Sequence, residues 1–473
     1  TPEKVVVASA EPMIERWELD LEHVVRRPIR RVLADPADID RYTVEFYRLA
    51  RSVKGATGQE VRGGMSNFEQ LLDIKDIKNL DANDEHVVNI VDWLLQYAFE
   101  QRASDIHVEP RREQARVRFR IDGVLHAVYS FPMPVAMAVV SRIKILGRMN
   151  VAEKRKPQDG RLKTRSPEGG EVELRLSTLP TAFGEKLVMR IFDPDVLLRS
   201  FDDLGLANED YRRWRGMIGQ PHGIVLVTGP TGSGKTTTLY SSLKQLATLD
   251  VNVCTIEDPI EMVEESFNQM QVQHNIGVDF ASGVRAMLRQ DPDIIMIGEI
   301  RDLETAEMAI QAALTGHLVL STLHTNDAPS AVTRLLELGV PSYLIRATVL
   351  GVMAQRLVRT LCPHCKQPQT IDEEAWRQMV APWKTALPAT GYQAVGCLEC
   401  RNTGYHGRQG IYEILVMNDT LQEAVHERTE LDQLRRLAMK DGMHTLRLSG
   451  AQKVAAGMTT VEEVLRVAPA SRA

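Results

Sequence analysis

The feature that most constrains this chain is an eight-residue phosphate-binding loop at residues 229–236, which reads Gly-Pro-Thr-Gly-Ser-Gly-Lys-Thr and follows the pattern G-x-x-x-x-G-K-[ST]. The apolar, β-branched run at 223–228 predicts a buried parallel strand before the loop, and the residues after the loop predict a helix. Loop glycines let backbone N–H groups turn inward, and the positive end of a helix dipole attracts anions. A chance glycine turn is the alternative, but the flanking strand and helix favour a nucleotide site in an α/β domain.

The residues of this loop have separate predicted roles. Lys235 carries a mobile charge for the β- and γ-phosphates of ATP, and the hydroxyl of Thr236 is a ligand for Mg²⁺. The other nucleotide-binding candidates surround the phosphates with backbone and short side chains: Gly229, Pro230, Thr231, Gly232, Ser233, Gly234 and Thr237.

Composition narrows the class of protein. With 473 residues the chain should hold several domains, and its 44% apolar and 25% charged residues are ordinary for a soluble globular protein. A net charge of −6 gives no support to nucleic-acid binding, and no run is long and apolar enough for a membrane span. The chain begins Thr-Pro-Glu-Lys, without Met or a signal pattern. We therefore expect a processed or trimmed cytoplasmic protein that meets a membrane only through partners.

Two acidic segments downstream of the loop predict the hydrolytic machinery. At 255–261, an apolar strand ends in the candidates Glu257, Asp258 and Glu261, which would lie near the metal and the attacking water; a solvated acidic loop is the alternative. At 293–299, four apolar residues and a glycine lead to Glu299, the Walker B pattern. Glu299 would order Mg²⁺ through water or polarise the nucleophilic water.

Histidines and arginines supply further candidates. The segment 315–326 places His317 and His324 on either side of an apolar strand, and the spacing leaves open whether they sense the γ-phosphate or are ordinary residues. Arginine stabilises charge on a transferred phosphoryl group by bidentate contact. From spacing alone, most arginines near these motifs would be ordinary surface residues. The candidates for this role are Arg175, Arg190, Arg285 and Arg289, the last two on one predicted helix face.

Four of the five cysteines form two C-x-x-C pairs, Cys362 with Cys365 and Cys397 with Cys400. Thiols stay reduced in a cytosol, and two such knuckles suit tetrahedral Zn²⁺. The pairs stand 31 residues apart, longer than the common zinc-ribbon spacing, and no water-activating residue lies at ligand spacing. We therefore predict a structural zinc site, with four unligated thiols as the alternative. The fifth, Cys254, is interpreted as a small buried hydrophobe.

The organisation along the chain predicts six segments. Apolar spacing indicates helices at 38–52 and 83–102, and Arg/apolar alternation from Arg116, with the turn Asp122-Gly123, indicates a β-hairpin. The predicted segments are a docking region at 1–60, a Gly-rich linker at 61–80, an α/β domain at 81–195, the ATPase core at 205–360, the zinc module at 361–410 and a helical tail at 411–473.

The order of these motifs resembles that of the secretion and pilus traffic ATPases over about residues 81–465. The motifs that carry the resemblance are Ser104–Pro110, Pro157–Arg161, Ser177–Pro180, the phosphate loop, Glu257–Glu261, Gln290–Asp302 and Thr315–Thr325. The type II secretion ATPase is the nearest match and the type IV pilus assembly ATPase the second. The resemblance implies a RecA-like P-loop ATPase domain preceded by an α/β (PAS-like) domain, with a zinc-binding insert and a C-terminal helical region.

The resemblance also implies a mechanism and partners. Family members are hexamers, and Arg175 and Arg190 match the positions from which the α/β domain reaches the phosphates. We expect a Mg²⁺-dependent ATPase that drives pseudopilus assembly, with an inner-membrane platform protein and the cytoplasmic domain of a membrane anchor as partners. Pilus assembly is the alternative within the class, and a nucleotide-gated scaffold with little hydrolysis is the alternative outside it. A DNA-packaging or conjugation motor is disfavoured by the acidic charge. Retraction ATPases lack the cysteine module.

Overall fold

The computed structural model describes residues 5–11, 13, 16–36, 39, 43, 82–167, 169–192 and 200–468. The chain divides into two compact units, Thr1–Ile191 and Phe192–Ala473. The helix predicted at 38–52 lies almost wholly outside the described residues, and the linker predicted at 61–80 lies entirely outside them, as does much of the docking region.

The first unit begins with a small β-α-β element. Strands β1 (Val5–Ser9) and β2 (Ile29–Leu33) pair in parallel, and helix α1 (Arg16–Val25) connects them. Leu19 and Val24 of the helix are exposed. This element therefore presents apolar side chains at its surface.

The rest of the first unit is a six-stranded sheet with two helices. Its elements are α2 (Glu85–Glu100), β3 (Asp105–Pro110), β4 (Gln114–Ile121), β5 (Val124–Pro132), α3 (Met133–Leu146), β6 (Gln158–Arg165), β7 (Glu171–Thr181) and β8 (Gly184–Phe192). The strand order is β5-β4-β3-β8-β7-β6, and the β3–β4, β3–β8, β4–β5 and β6–β7 pairs run antiparallel. Apolar side chains of α2 and α3 share one buried cluster with the inward-facing residues of the sheet.

Two predictions for this unit are confirmed. Helix α2 occupies the segment predicted at 83–102, and the Asp84 carboxylate caps it by accepting the backbone N–H of His86. Strands β4 and β5 form the predicted hairpin. Its turn residues Asp122 and Gly123 both have positive φ, 49° and 84°, as a tight two-residue hairpin requires.

The second unit is built on a seven-stranded sheet. Its first elements are α4 (Phe201–Leu204), α5 (Asn208–Ile218), β9 (Gly223–Thr228), α6 (Lys235–Leu246), β10 (Val253–Glu257), β11 (Asn268–Gln271), α7 (Phe280–Met287), β12 (Ile294–Ile297), α8 (Leu303–Leu314), β13 (Leu318–Leu323), α9 (Ala328–Glu337), α10 (Ser342–Thr348) and β14 (Val349–Leu361). A 3₁₀ turn at His274–Ile276 precedes α7.

The second unit continues with β15 (Gln367–Gln369), α11 (Glu373–Val380), β16 (Gly391–Gln393), β17 (Tyr405–Val416), α12 (Asp419–Ala424), α13 (Leu431–Lys440), α14 (Leu446–Ala455) and α15 (Val461–Val467). The sheet order is β11-β10-β12-β13-β9-β14-β17, and only the β14–β17 pair is antiparallel. Both faces are covered, because Ile224 and Leu226 of β9 belong to one buried cluster while Val225 and Val227 belong to another.

The beginning of the predicted helical tail is wrong. Residues from Ile411 to Val416 continue strand β17, and the first helix of the tail starts at Asp419. Pairing with β14 explains the difference, since the paired strand buries Ile411, Ile414 and their neighbours in the sheet. No helix among the described residues combines the length and the apolar character needed to cross a membrane.

Candidate functional site

The phosphate loop connects β9 to α6, and three glycines allow its backbone to turn. Gly229, Gly232 and Gly234 have φ angles of 152°, 78° and 88°, in a range that other residues rarely adopt. A Cβ atom on Gly229 would lie 2.5 Å from the carbonyl oxygen of Gln355, whereas one on Gly232 would meet nothing within 4 Å. The loop is therefore backed closely by the sheet at its start and open at its tip. Of the other predicted loop residues, the exposed ones are Pro230 and Thr231, the buried one is Ser233, and the half-buried ones are Thr236 and Thr237.

Lys235, the first residue of α6, folds its ammonium group back over the loop. Its Nζ donates to the carbonyl oxygens of Gly229 at 2.8 Å and Pro230 at 3.2 Å. Burial lowers the pKa of Lys235 to about 8; the negative charge of Glu299 opposes this shift and the positive charge of Arg356 adds to it. The ammonium group is thus close enough to Glu299 for their charges to interact.

Glu299 lies two residues beyond β12, and both of its carboxylate oxygens have a partner. Oε1 forms an ion pair with Nη2 of Arg301, and Oε2 lies 3.4 Å from Nε2 of His324. His324 directly follows β13, so the ends of two adjacent parallel strands bring the acid and the imidazole together. Burial, with the positive charge of Lys235, lowers the pKa of His324 although Glu299 opposes the shift. A neutral imidazole beside a carboxylate is suited to orienting a water molecule.

Glu257 is held inside the fold at the end of β10. It is 3% exposed, and its oxygens accept hydrogen bonds from the Tyr240 hydroxyl at 2.6 Å, the Thr255 hydroxyl at 2.7 Å and the Gln269 amide at 3.1 Å. These donors come from α6, β10 and β11. The carboxylate therefore ties three elements of the site together.

The other two acids of this segment are more accessible. Asp258 is exposed, and its Oδ2 lies 3.8 Å from Nε2 of His274. The pKa of Arg301 is raised first by its bond to Glu299 and further by the charge of Asp258, so Asp258 lies close enough to Arg301 for their charges to interact. Glu261 is half-buried in the turn that follows.

The two histidines considered together in the sequence lie at opposite ends of β13. His317 precedes the strand, and its Nδ1 contacts the Ala312 carbonyl oxygen at 2.9 Å and the Thr315 hydroxyl at 3.1 Å. His324 follows the strand. Six strand residues separate them by roughly 20 Å, so only His324 reaches the end of the sheet where the phosphate loop lies.

The four candidate arginines have different surroundings. Arg190 is exposed on β8, and its Nε donates to Asp105 Oδ1 at 3.0 Å. Arg175 lies on β7 opposite Arg161 of β6. In the second unit, Nη2 of Arg285 lies 3.4 Å from Glu304 Oε1.

Arg289 departs from its prediction. Helix α7 ends at Met287, so Arg289 lies beyond the helix that was predicted to carry both Arg285 and Arg289. Its guanidinium bonds to the Arg285 carbonyl oxygen at 2.8 Å instead of extending the helix face.

The four cysteines of the predicted zinc module come together in one cluster. Their Sγ atoms all lie within 4.8 Å of one another, and three of the pairs are 3.7–3.8 Å apart. A tetrahedral zinc ion with bonds of about 2.3 Å requires sulfur separations of roughly 3.8 Å. Burial raises the pKa of the Cys362 and Cys365 thiols, whereas at Cys400 backbone N–H groups of Cys397 and Gly404 outweigh burial and lower the pKa to about 7. The donor set therefore fits Zn²⁺, while Cys254 is buried in β10 as expected.

Two residues behind the loop were missed in the sequence. Gln355 and Arg356 lie in β14, the strand next to β9, and contact the phosphate loop on the side that faces the sheet. The polar pair followed an apolar run in β14, which also contains Arg359 and Thr360, and such residues equally mark outward-facing positions. The neighbouring strand could not be inferred from the sequence.

Comparison with known proteins agrees with this geometry. A profile of the family described as "Type II/IV secretion system protein" matches residues 81–466. The chain is 59% identical over 472 residues to the type IV pilus assembly ATPase TfpB of Acinetobacter baylyi, covering 99% of this chain and 80% of that relative. It is 46% identical over 436 residues to the type II secretion system protein E of Xanthomonas campestris pv. campestris, covering 91% of this chain and 75% of that relative.

A solved structure shares the architecture. The pilus retraction motor PilT with bound ADP has a TM-score of 0.57 at 25% identity, and the match covers 81% of this chain and 98% of PilT. The predicted fold class, a P-loop ATPase domain after a smaller α/β domain with a cysteine module, is confirmed. The chain therefore belongs to the type II/IV secretion system protein family, and it is an ATP hydrolase.

Proposed function

We propose that this ATPase drives the assembly of type IV pili. The observation that carries the proposal is the 59% identity to a type IV pilus assembly ATPase over 99% of the chain, a match that includes the N-terminal residues. The type II secretion relative is 46% identical over 91% of the chain. The difference favours the pilus and reverses the order of preference that the motifs alone suggested.

Type II secretion is the second candidate function. Five type II secretion proteins are 40–48% identical over 81–95% of the chain. In that case the same hydrolysis would drive assembly of a pseudopilus for protein export. The chemistry of the nucleotide site would be identical for both machines.

The phosphate loop would bind the triphosphate of ATP. Backbone N–H groups at the start of α6 and the ammonium group of Lys235 would contact the β- and γ-phosphates. The Thr236 hydroxyl, with the carboxylates of Asp258 and Glu299, offers the hard oxygen ligands that Mg²⁺ prefers. Mg²⁺, when bound, would neutralise charge on the phosphates.

Glu299 would orient the attacking water. Its contacts with His324 and Arg301 hold the carboxylate in one place, which is the condition for in-line attack on the γ-phosphorus. Asp258 and Glu261 would complete the acidic side of the site, and Glu257 would hold the surrounding strands together.

The arginines would act where charge develops on the transferred group. Arg175 and Arg190, and in the second unit Arg285 and Arg289, would stabilise that charge, within one subunit or across a subunit boundary. We propose that the protein works as a homohexameric ring.

The ring would work at the cytoplasmic side of the inner membrane, bound there only through other proteins. Residues 1–60 would dock on the cytoplasmic domain of an inner-membrane anchor, and the ring would move an inner-membrane platform protein. Four-cysteine coordination of Zn²⁺ would stabilise the segment between β14 and β17. We propose no nucleic-acid partner.

A genetic experiment tests the choice of machine. The gene is deleted and complemented with wild type, with Glu299→Gln, or with Glu307→Gln, a control that removes an exposed carboxylate on α8. Twitching motility and secreted protein are measured in the same strains. Twitching lost with secretion intact, and rescued by wild type and Glu307→Gln alone, is the expected result. Secretion lost with twitching intact would replace the pilus proposal with the second candidate.

A further inference from the structure

The phosphate loop rests on two residues of β14 that the hydrolytic mechanism does not use. We propose that Gln355 and Arg356 are positioning residues that hold the phosphate loop and the segment after β13 in the arrangement that binds ATP. This inference concerns hydrolysis itself, so it does not depend on whether the enzyme builds pili or pseudopili.

Gln355 contacts both ends of the phosphate loop. Its side chain is 1% exposed, and its Oε1 accepts a hydrogen bond from the Thr238 hydroxyl of α6 at 2.7 Å. Its carbonyl oxygen lies 2.5 Å from the position of a Cβ on Gly229, and its Nε2 lies 2.8 Å from that on Gly234. The two glycines are therefore required not only by their φ angles but also by this close support.

Arg356 joins the loop to a second segment. It is 5% exposed; its Nη1 donates to the Gln355 carbonyl oxygen at 3.1 Å, and its Nη2 donates to the carbonyl oxygen of Asn326 at 2.9 Å and to its Oδ1 at 3.3 Å. The same Nη1 lies 3.0 Å from a Cβ position on Gly229. One guanidinium group thus touches the first residue of the phosphate loop and the segment that follows β13.

The guanidinium charge of Arg356 is buried, with no carboxylate close to it among the described residues. Within the described part of the chain, no carboxylate lies within ion-pair distance of its guanidinium, and Glu413 and Asp327 act on it only through longer-range attraction. Burial of a charge without a close counter-ion is unfavourable compared with burial of an apolar side chain. An anion held in the adjacent loop compensates such a charge. The position of Arg356 directly behind a phosphate site therefore indicates a contribution to nucleotide binding.

The segment held by Arg356 also carries a residue of the hydrolytic cluster. His324, which contacts Glu299, lies two residues before Asn326. The Thr228 hydroxyl, at the end of β9, bonds to the Thr325 hydroxyl at 2.8 Å and to its backbone N–H at 2.8 Å. Arg356 and Thr228 thus fix the loop and the His324 segment to each other from two sides.

The test compares Arg356→Gln, Arg356→Lys and the matched control Arg359→Gln in the purified full chain. Arg359 lies on the same strand but pairs with Glu463, away from the phosphate loop. Kd for a fluorescent ATP analogue, KM, kcat and thermal midpoint are measured for each. We expect Arg356→Gln to raise Kd and KM about tenfold, as coupled neighbours do, with partial recovery in Arg356→Lys. Arg359→Gln should lower the thermal midpoint and leave Kd within about twofold.

A second variant keeps the proposal testable if Arg356→Gln does not fold. Asn326→Ala removes only an exposed side-chain acceptor, and it should raise Kd about threefold in the wild-type background and not at all in Arg356→Lys. Equal losses of affinity in Arg356→Gln and Arg359→Gln would overturn the proposal. Wild-type Kd in both Arg356→Gln and Asn326→Ala would also overturn it, as would the absence of any recovery in Arg356→Lys. None of these results depends on twitching or secretion.

Discussion

Strand β14 lies behind the nucleotide site and ends directly before the four-cysteine module, yet the two sites are held in place by different interactions. The strands that carry the nucleotide residues, β9, β12 and β13, are buried along their whole length. The cysteine module has two strands of only three residues each, most of them exposed or half-buried, and one helix. The buried residues of this helix are Trp376, Met379 and Val380. That helix packs into the same apolar cluster as Ile224 and Leu226 of β9, whereas the short strands and the cysteine turns add little burial. The first site is thus shaped by the core around it, and the cysteine turns by their own ligands.

This contrast has an energetic consequence. A site supported by packed strands keeps its shape when one polar residue is removed, because the apolar burial that holds it is unchanged. A small metal-bound segment depends on the metal, because the free energy of metal binding is also its folding free energy. Loss of function in the first site and loss of structure in the second are therefore the expected failures.

The largest expected effect on turnover comes from Lys235→Ala. Removing the ammonium group should lower kcat/KM roughly a thousandfold, because a preorganised donor to the transferred phosphoryl group is lost. The thermal midpoint of the second unit should stay within a few degrees of wild type. An ATPase assay measures the turnover and calorimetry measures the thermal midpoint. Normal turnover in this variant would refute the assignment of the loop as the nucleotide site.

Glu299→Gln should have the next largest effect. It keeps the shape of the side chain but removes the negative charge that orients the water, so kcat should fall about a hundredfold. Kd for ATP should change little, because the phosphates are bound by the loop. Single-turnover measurements separate the two steps, and a Kd that rises as much as kcat falls would contradict this role.

A smaller effect follows from the titration of Lys235. Its pKa of about 8 means that the ammonium group, charged at lower pH, loses its proton as pH rises through 8. ATP affinity should therefore be about tenfold weaker at pH 9 than at pH 7. Binding curves between pH 6.5 and about 9.5 measure this. Lys235→Arg, which stays protonated, should show a flat profile, and an equal decline in that variant would assign the titration to another group.

The smallest effect on turnover is expected from Cys397→Ser. This variant tests most directly whether the cysteine module and the nucleotide site are stabilised separately. The variant should lose bound zinc, from one ion per chain to none, and expose the segment between β14 and β17 to hydrogen exchange. Turnover should stay within about threefold of wild type, because the core that shapes the nucleotide site is intact. Cys254→Ala, which removes a thiol outside the cluster, should keep its zinc. Absence of zinc in the wild-type protein would refute the metal site.

Several elements were predictable because their signals are local. The loop glycines, the apolar run of β9, the spacing of α2 and the Asp122-Gly123 turn all depend on residues within a few positions of one another. Other features were not predictable for the same reason. The strand rather than helix at Ile411 depends on pairing with β14, which is distant in sequence.

The candidate site divides in the same way. The sequence by itself determined the phosphate loop, the acid after β12 and the two cysteine pairs, since each is a short pattern whose chemistry follows from spacing. Only the tertiary structure decided that Glu257 is engaged by three donors, and that His324 and not His317 meets Glu299. It alone placed Gln355 and Arg356 behind the loop. The physical reason is that strand order and register, which bring distant residues to one edge of a sheet, are set by packing across the whole unit and not by neighbours in sequence.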